Sequence, residues 1–379
     1  MTLHSFSFPT AITFGVGARR EVAGHLRALG LQRPLLVTDH AVANLPITTE
    51  FDRGLGAQDL RAAIFAGVRG NPKAGQVSAG VQAFREHQAD CVIGLGGGAA
   101  LDVAKAVALM VVHDGDILDF ASDHPTPRPL QRRIPYLVAL PTTSGTGSEV
   151  GRSAVISDDR SHVKKVVFAP ALLPRAVFAD PEFTLPLPPK ITAATGIDAL
   201  THNLESYLSP TYHPICDGIA VEGIRLAARA LPLAFRDGSN LVARTDMMMA
   251  SMMGAIAFQK DLGAVHACAH ALGAVLDLHH GLANGVMLDH VMRFNAATAG
   301  EKLSELAHVV KAGNTAEEFL AWLTRFKAEL GIPARLAEVG VKPEHVKSLA
   351  LIASRDSCHL TNPRPCTRED FEQMFTDAL

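Results

Sequence analysis

Cysteine, charge and long apolar runs are all scarce in this chain. Its five cysteines (Cys91, Cys216, Cys268, Cys358 and Cys366) are odd in number and scattered, and no CxxC pair exists. That argues against a disulfide framework and for reduced thiols in a cytoplasmic protein. Charged residues make up 19%, with 35 basic against 38 acidic and a net charge of −3. No basic block stands out, so neither nucleic acid nor an anionic membrane is an expected partner. No apolar run reaches the ~20 residues of a membrane span. The opening MTLHSFSFPT has no basic patch leading into an apolar core, so no signal peptide is expected. Internal repeats and low-complexity tails are missing too.

What remains is a globular chain with large buried faces, 48% hydrophobic over 379 residues. That length is too great for one compact core, and two domains are expected. Through the first half, short β-branched runs alternate with helical patterns. Strands are expected at 34–38, 60–65, 90–95, 136–140, 153–157, 165–169 and 176–180, several of them continuous apolar runs typical of buried parallel strands. Helical stretches such as REVAGHLRALG and AGQVSAGVQAFREHQ lie between them, implying βαβ units and a doubly wound sheet. SFSFPTAITFG alternates apolar and polar residues and reads as a hairpin or edge strand. PLPPK at 186–190 is a Pro-rich break, and beyond it the pattern is helical with almost no strand signal. The expected fold is therefore an α/β Rossmann-like domain over 1–185 followed by an all-α domain over 186–379.

Two glycine-rich loops follow strands. In CVIGLGGGAALDVAK, Gly94, Gly96 and Ala99 satisfy GxGxxA. Gly96, Gly97 and Gly98 leave backbone N–H groups bare where a helix begins, a geometry that cradles a pyrophosphate. A tight turn that binds nothing would look the same. LPTTSGTGSEV supplies Thr142, Thr143 and Thr146 among glycines, which suits ribose or phosphate contacts, although a solvated turn is the plainer alternative. Asp39, closing LLVTD, can accept from a ribose 2′-OH and would repel a 2′-phosphate, favouring NAD over NADP. It could equally cap the helix that follows.

GAVHACAHALGAVLDLHHGLANG holds His266, His270, His279 and His280. His266 and His270 are four apart, on one helix face about 40° from each other, and look like an HxxxH metal pair. A metal needs three or four donors, often including a carboxylate. ATGIDALTHNLESYLS offers Asp198 and His202, again four apart.

These segments resemble the iron-containing (group III) alcohol dehydrogenases. The matching stretches are GGGAALDVAK, PTTSGTGSEV, TGIDALTHNLESY, GAVHACAHALGA, HHGLAN and TNPRPCTRED, spread over most of the chain. The resemblance implies a dehydroquinate synthase-like architecture of two domains, with NAD(P) on the first and one divalent metal on the second. It implies Asp198, His202, His266 and His280 as metal ligands, and His270 as a catalytic neighbour rather than a ligand. His279 stands where many members have proline and becomes a helix-end residue. For the cofactor the resemblance implies Asp39, Asn71, Gly97, Gly98, Asp102, Thr142, Thr143, Thr146 and Lys164. Ala99 departs from a common serine.

The activity so implied is hydride transfer between NAD and a small alcohol, aldehyde or ketone, with Fe²⁺ at the site and Zn²⁺ as the alternative. A short hydroxy acid becomes a candidate substrate if Arg152 or Lys260 faces the pocket; a surface charge or ion pair is the other reading. Maleylacetate reductase, glycerol dehydrogenase and a dehydroquinate synthase-like lyase are the competing activities, and a non-catalytic metal- or nucleotide-binding protein is a competing class. A homodimer or higher homo-oligomer is expected.

Overall fold

The computed structural model describes residues 8, 10–160 and 163–379. Contacts divide the chain into two units, one of Pro9–Thr143 and Gly147–Thr184, the other of Leu185–Leu379 with Ser144–Thr146.

In the first unit the strands are β1 (Ala11–Phe14), β2 (Pro34–Asp39), β3 (Ala63–Val68), β4 (Cys91–Gly96), β5 (Tyr136–Pro141), β6 (Ser153–Ser157), β7 (Lys164–Phe168) and β8 (Ala176–Ala179). Its helices are α1 (Glu21–Ala28), α2 (His40–Ala43), α3 (Pro46–Gly56), α4 (Ala74–His87) and α5 (Gly98–Met110). Six strands form one parallel sheet in the order β1-β8-β5-β4-β2-β3. Alternate side chains leave opposite faces, as the pleat requires. Leu35, Val37, Val92 and Leu137 join Val77, Val81 and Val103 from α4 and α5 in one core. Leu36, Ile93, Val138 and Leu140 join Val22, Leu26, Phe51 and Leu55 from α1 and α3 in the other. Strands buried on both faces must be apolar at every position, which explains the continuous runs in their sequences.

Three strand expectations need adjustment. β3 runs three residues later than expected, because Ala63 rather than Leu60 sets its register against Leu35. β6 and β7 stand outside the parallel sheet as an antiparallel hairpin, Ser153 pairing Phe168 and Ser157 pairing Lys164. Their link, 158–163, is far shorter than the dozen or more residues of a parallel crossover. The opening segment contributes β1, an edge strand parallel to β8; residues 5–7 and 9 of it lie outside the described residues.

The chain leaves β2 for β3 on one side, then returns for β4 on the other. This reversal opens a crevice at the carboxyl ends of β2 and β4, the usual ligand position in open α/β sheets.

The second unit is helical: α6 (Pro189–Leu208), α7 (Pro214–Arg236), α8 (Leu241–Ala257), α9 (Ala264–Leu276), α10 (His280–Val309), α11 (Ala316–Glu329), α12 (Val346–Ala353) and α13 (Arg368–Asp377). The Pro-rich break ends where Pro189 opens α6, a position that wastes no backbone donor. Among the described residues one stretch, Leu241–Lys260, has the length and apolarity of a membrane span. It carries Arg244, Asp246 and Lys260 and lends Met247 and Ala250 to the helical core, which accounts for its composition.

Candidate active site and metal centre

α6 is buried along nearly its whole length, and three of its acid–base residues share a face. Asp198, His202 and Glu205 occupy relative positions 0, 4 and 7, with His202 about 40° to one side of Asp198 and Glu205 about 20° to the other, a spread of about 60°. α9 presents His266 to that face, and α10 begins with His280. Oδ1 of Asp198 lies 3.6 Å from Nε2 of His280, 3.7 Å from Nε2 of His266 and 3.9 Å from Nε2 of His202. Donors about 2.1 Å from a common ion would stand roughly 3.4 Å apart in a tetrahedron. The three spacings from Asp198 Oδ1 are close to that, and the donor atoms of Asp198, His202 and His266 lie within 4.8 Å of one another, a group that does not take in His280.

The electrostatics agree with the geometry. Asp198, His202 and His266 are all buried. Burial alone would push the Asp198 carboxyl up, but the surrounding imidazoles hold it far below the usual carboxylate range. Asn284, one turn into α10, donates from Nδ2 to Asp198 Oδ1 at 2.7 Å, while its own buried Oδ1 has no hydrogen-bond partner. A buried, ionised carboxylate facing three imidazoles is a donor set suited to a divalent cation of borderline hardness. The residues present therefore fit the ion that the family resemblance implies.

His270 does not join that cluster through its Nδ1, which bonds Asp356 Oδ2 at 2.8 Å. Its ring stacks on His280 with centroids 5.3 Å apart. Burial pushes Asp356 up, yet the paired His270 prevails and draws it down to about 2. His279 is exposed and precedes α10 as its N-cap.

The nucleotide-type residues of the first unit gather at the sheet's carboxyl edge. Gly97 is the N-cap of α5 and Gly98 its first residue, so the glycine run opens that helix. A Cβ on Gly97 would stand 3.2 Å from Thr143 Cγ2, so the β5 loop packs directly on the glycine. Thr142 is buried and donates its N–H to Gly96 O at 3.0 Å. Asp39 caps α2, its Oδ1 accepting from Ala41 N and Val42 N at 2.9 and 2.8 Å. Its Oδ2 faces Gly96, 3.4 Å from where a Cβ would be, and Asp39 lines an open pocket with Arg69, Gly70 and Ala99. Capping and pocket-lining thus coexist in one carboxylate. Asn71 is exposed in the loop after β3, and Lys164 is half-buried at the start of β7. Thr146 groups with the helical unit, as does Gly145, where a Cβ would fall 2.8 Å from Thr195 Cβ.

Asp102 is engaged internally. Its Oδ1 accepts from Ser148 Oγ at 2.6 Å and its Oδ2 from Val155 N at 3.0 Å. Lys105, fully buried, donates to Ser148 Oγ and Ser153 O. Together they fasten the loop 147–155 to α5. Glu149 is buried beside them, and burial pushes its carboxyl up to about 7. Because folding favours its protonated form, the stability it contributes is full below about pH 4.5 and is lost as pH rises through about 7. Glu149→Gln should therefore match the wild type near pH 4.5 and exceed it above pH 8 by up to about 3 kcal/mol. Chemical denaturation across this range measures the difference; parallel curves for the two proteins would contradict it.

Arg152 and Lys260 take other places. Arg152 lies over the Phe168 ring at 5.7 Å on the β6–β7 hairpin. Lys260 is buried and pairs with Asp217, not with the adjacent Asp261.

A glycine-loop α/β unit followed by a helical unit with an Asp/His₃ cluster describes a nucleotide-using metalloenzyme. Comparison with known proteins makes the class specific. Residues 9–181 match the model of iron-containing alcohol dehydrogenase, and residues 192–379 match that of the Fe-containing alcohol dehydrogenase family, C-terminal. The chain is 37% identical over 377 residues to alcohol dehydrogenase 4 of Saccharomyces cerevisiae, covering 98% of each. It is 34% identical over 383 residues to the NAD-dependent methanol dehydrogenase of Bacillus methanolicus, covering 99% of this chain and 100% of that one. Its fold is similar to the crystal structure of a 1,3-propanediol oxidoreductase, with a TM-score of 0.95, 35% identity and full coverage of both chains. The chain belongs to the iron-containing alcohol dehydrogenase family, and so is a metal-dependent oxidoreductase acting on alcohols.

Proposed function

We propose that this enzyme moves hydride between NAD and a small primary alcohol or diol, or the matching aldehyde. The observation that carries the metal half of this reading is the convergence of His202, His266 and His280 on Asp198 Oδ1 within 3.9 Å. Those four residues would hold Fe²⁺, with Zn²⁺ acceptable to the same donors. The ion supplies Lewis acidity at the substrate oxygen when bound. NAD is favoured by the likeness to an NAD-dependent methanol dehydrogenase and by the carboxylate of Asp39 in the crevice. The 1,3-propanediol oxidoreductase likeness favours short alcohols and diols.

The cofactor-site residues and His270 have defined tasks in this reading. The N-terminus of α5, opened by Gly97 and Gly98, binds the pyrophosphate through bare backbone donors. Asp39 accepts from the ribose, and Asn71, Thr142, Thr143, Thr146 and Lys164 complete the cofactor contacts. Asp102 acts by holding the 147–155 loop. His270, its Nδ1–H donated to Asp356, keeps Nε2 available to take the proton released as the alcohol is oxidised, and to return it in the reverse direction. Its ring is about one-third exposed, which connects that proton to solvent. With Lys260 buried on Asp217 and Arg152 over Phe168, a cationic subsite for a carboxylate-bearing substrate has no support. A cytoplasmic homodimer or higher oligomer completes the reading; the exposed edge strand β1 is available for pairing.

The test is anaerobic, Fe²⁺-loaded enzyme with NAD⁺ and a panel of C1–C4 alcohols and diols, followed at the NADH absorbance band. Net NADH formation supports the proposal; cofactor binding with no net reduction over the panel would refute it. A second test concerns Asp39. Asp39→Gly should raise kcat/KM for NADP⁺ by about tenfold or more, as like-charge juxtaposition costs several kcal/mol. Glycine still serves as a helix cap within a few tenths of a kcal/mol, so the fold should be spared. An unchanged NAD/NADP ratio would remove Asp39 from cofactor selection.

A further inference from the structure

We propose that Glu205 is a positioning residue for the metal site, selecting the nitrogen that His266 presents to the ion. The inference rests on the metal reading above and extends it to a residue outside the ligand set.

Glu205 is a buried carboxylate on α6, one turn beyond His202. Its two oxygens serve two different donors. Oε1 accepts from the backbone N–H of Val265 at 2.7 Å, and Oε2 meets His266 Nδ1 at 2.5 Å. Val265 N belongs to the first turn of α9, where backbone donors have no partner within the helix. The carboxylate thus caps that turn and holds the imidazole beside it with a single group. Gly263 leaves room for this: a Cβ there would lie 2.7 Å from Glu205 Oε1.

A carboxylate offers only acceptors, so the Nδ1 facing it must carry hydrogen. Nε2, the nitrogen 3.7 Å from Asp198 Oδ1, is then the atom that can offer a lone pair to a metal. Burial on both sides of this pair leaves no water to substitute for either partner. The His280 side chain, by contrast, is about one-quarter exposed, whereas His266 and Glu205 are both buried.

Glutamine in place of Glu205 has the same shape but one acceptor instead of two. If its oxygen keeps Val265 N, its NH₂ faces His266 and drives the ring to the tautomer with hydrogen on Nε2. If it flips, the first turn of α9 loses its cap. Glu205→Asp keeps the charge but withdraws it by one methylene, so it reaches only one donor. The two variants are read together, because a flipped glutamine, or an aspartate that reaches only His266, spares the tautomer and loses the cap of α9 alone.

The experiment titrates metal-free wild type, Glu205→Gln and Glu205→Asp with Zn²⁺ and with Co²⁺ under a competing chelator, reading the Co²⁺ visible spectrum as well as affinity. Unfolding of each metal-free protein in EDTA is measured alongside. The expected result is tight binding by wild type and about 10- to 100-fold weaker binding by a variant, with an altered Co²⁺ band and a metal-free unfolding midpoint near that of the wild type. Wild-type affinity and an unchanged Co²⁺ band in both folded variants would overturn the role of Glu205 while leaving the metal site standing. Weaker binding matched by an equal loss of metal-free stability would make Glu205 a helix cap only, and also overturn it. Failure of the wild type to bind either ion would overturn the metal reading itself.

Discussion

Asp198→Ala should yield a folded protein that retains less than about one tenth of the metal bound by the wild type and has lost on the order of 10³-fold in kcat/KM. Asp198 is the only anion among the four converging donors, and its Oδ1 is the atom from which the three Nε2 distances of 3.6, 3.7 and 3.9 Å are measured. Alanine there leaves three imidazoles that offer no charge to balance a divalent ion. It also strips Asn284 Nδ2 of its 2.7 Å acceptor, leaving that amide only the longer contacts to His266 and His280 Nε2 at 3.4 and 3.3 Å. The rate effect follows from magnitude: Lewis-acid assistance is worth several kcal/mol, and each 1.36 kcal/mol is a factor of ten. Metal analysis after gel filtration and steady-state rates with saturating cofactor give the two readouts. Full metal content with full turnover in the variant would show that the cluster is a buried polar network and not the metal centre. Removal of metal from the wild type by chelation should reproduce the kinetic loss, and re-addition of Fe²⁺ should reverse it in the wild type but not in the variant.

The sequence carried some of this site on its surface and hid the rest. Spacing was enough to pair Asp198 with His202, because positions four apart on one helix must share a face. The same rule applied to His266 and His270 suggests a ligand pair, yet His270 turns its Nδ1 to Asp356. Periodicity fixes the face of a helix but not which ring rotates toward which neighbour. Glu205 was within reach of the same arithmetic, seven residues after Asp198 and so nearly above it, but a carboxylate within a helix usually reads as a solvated one. Nothing local marks Asp356: its partner lies 86 residues away in sequence, and it caps only a short 3-10 turn by accepting from Cys358 N. Asn284 was unreadable for the reverse reason, since a polar residue in an apolar helix discloses neither its burial nor its partners; for Lys260 an ion pair was among the readings, but not Asp217 as the partner. In the α/β unit the apolar runs marked the strands well, while the antiparallel pairing of β6 with β7 and the register of β3 depended on contacts that only the folded sheet defines.

Gly281→Ala is expected to disturb the metal site more than its size suggests. A Cβ at this position would fall 2.0 Å from Ala194 O, 2.8 Å from Ala194 C and 3.3 Å from Asp198 Cβ. The first two are backbone atoms of α6, so no side chain can swing aside, and the start of α10 must retreat from α6. His280 is the neighbouring residue and moves with it, away from an Asp198 that is anchored in mid-helix. Overpacking of this kind typically costs about 1–3 kcal/mol, equivalent to a fall of roughly 2–12 °C in the unfolding midpoint of a unit of this size. Metal affinity should fall further than stability, because any retreat of the α10 start from α6 carries His280 with it. Gly300, in the same helix with open space around it, provides the control: Gly300→Ala meets nothing within 4 Å and should raise stability slightly through helix propensity. Zn²⁺ titration and thermal unfolding of the two variants, each with and without EDTA, separate the effects. Equal metal affinity in Gly281→Ala and Gly300→Ala would mean that α10 can shift without carrying His280 off the cluster, and that the close approach of α6 and α10 serves packing alone.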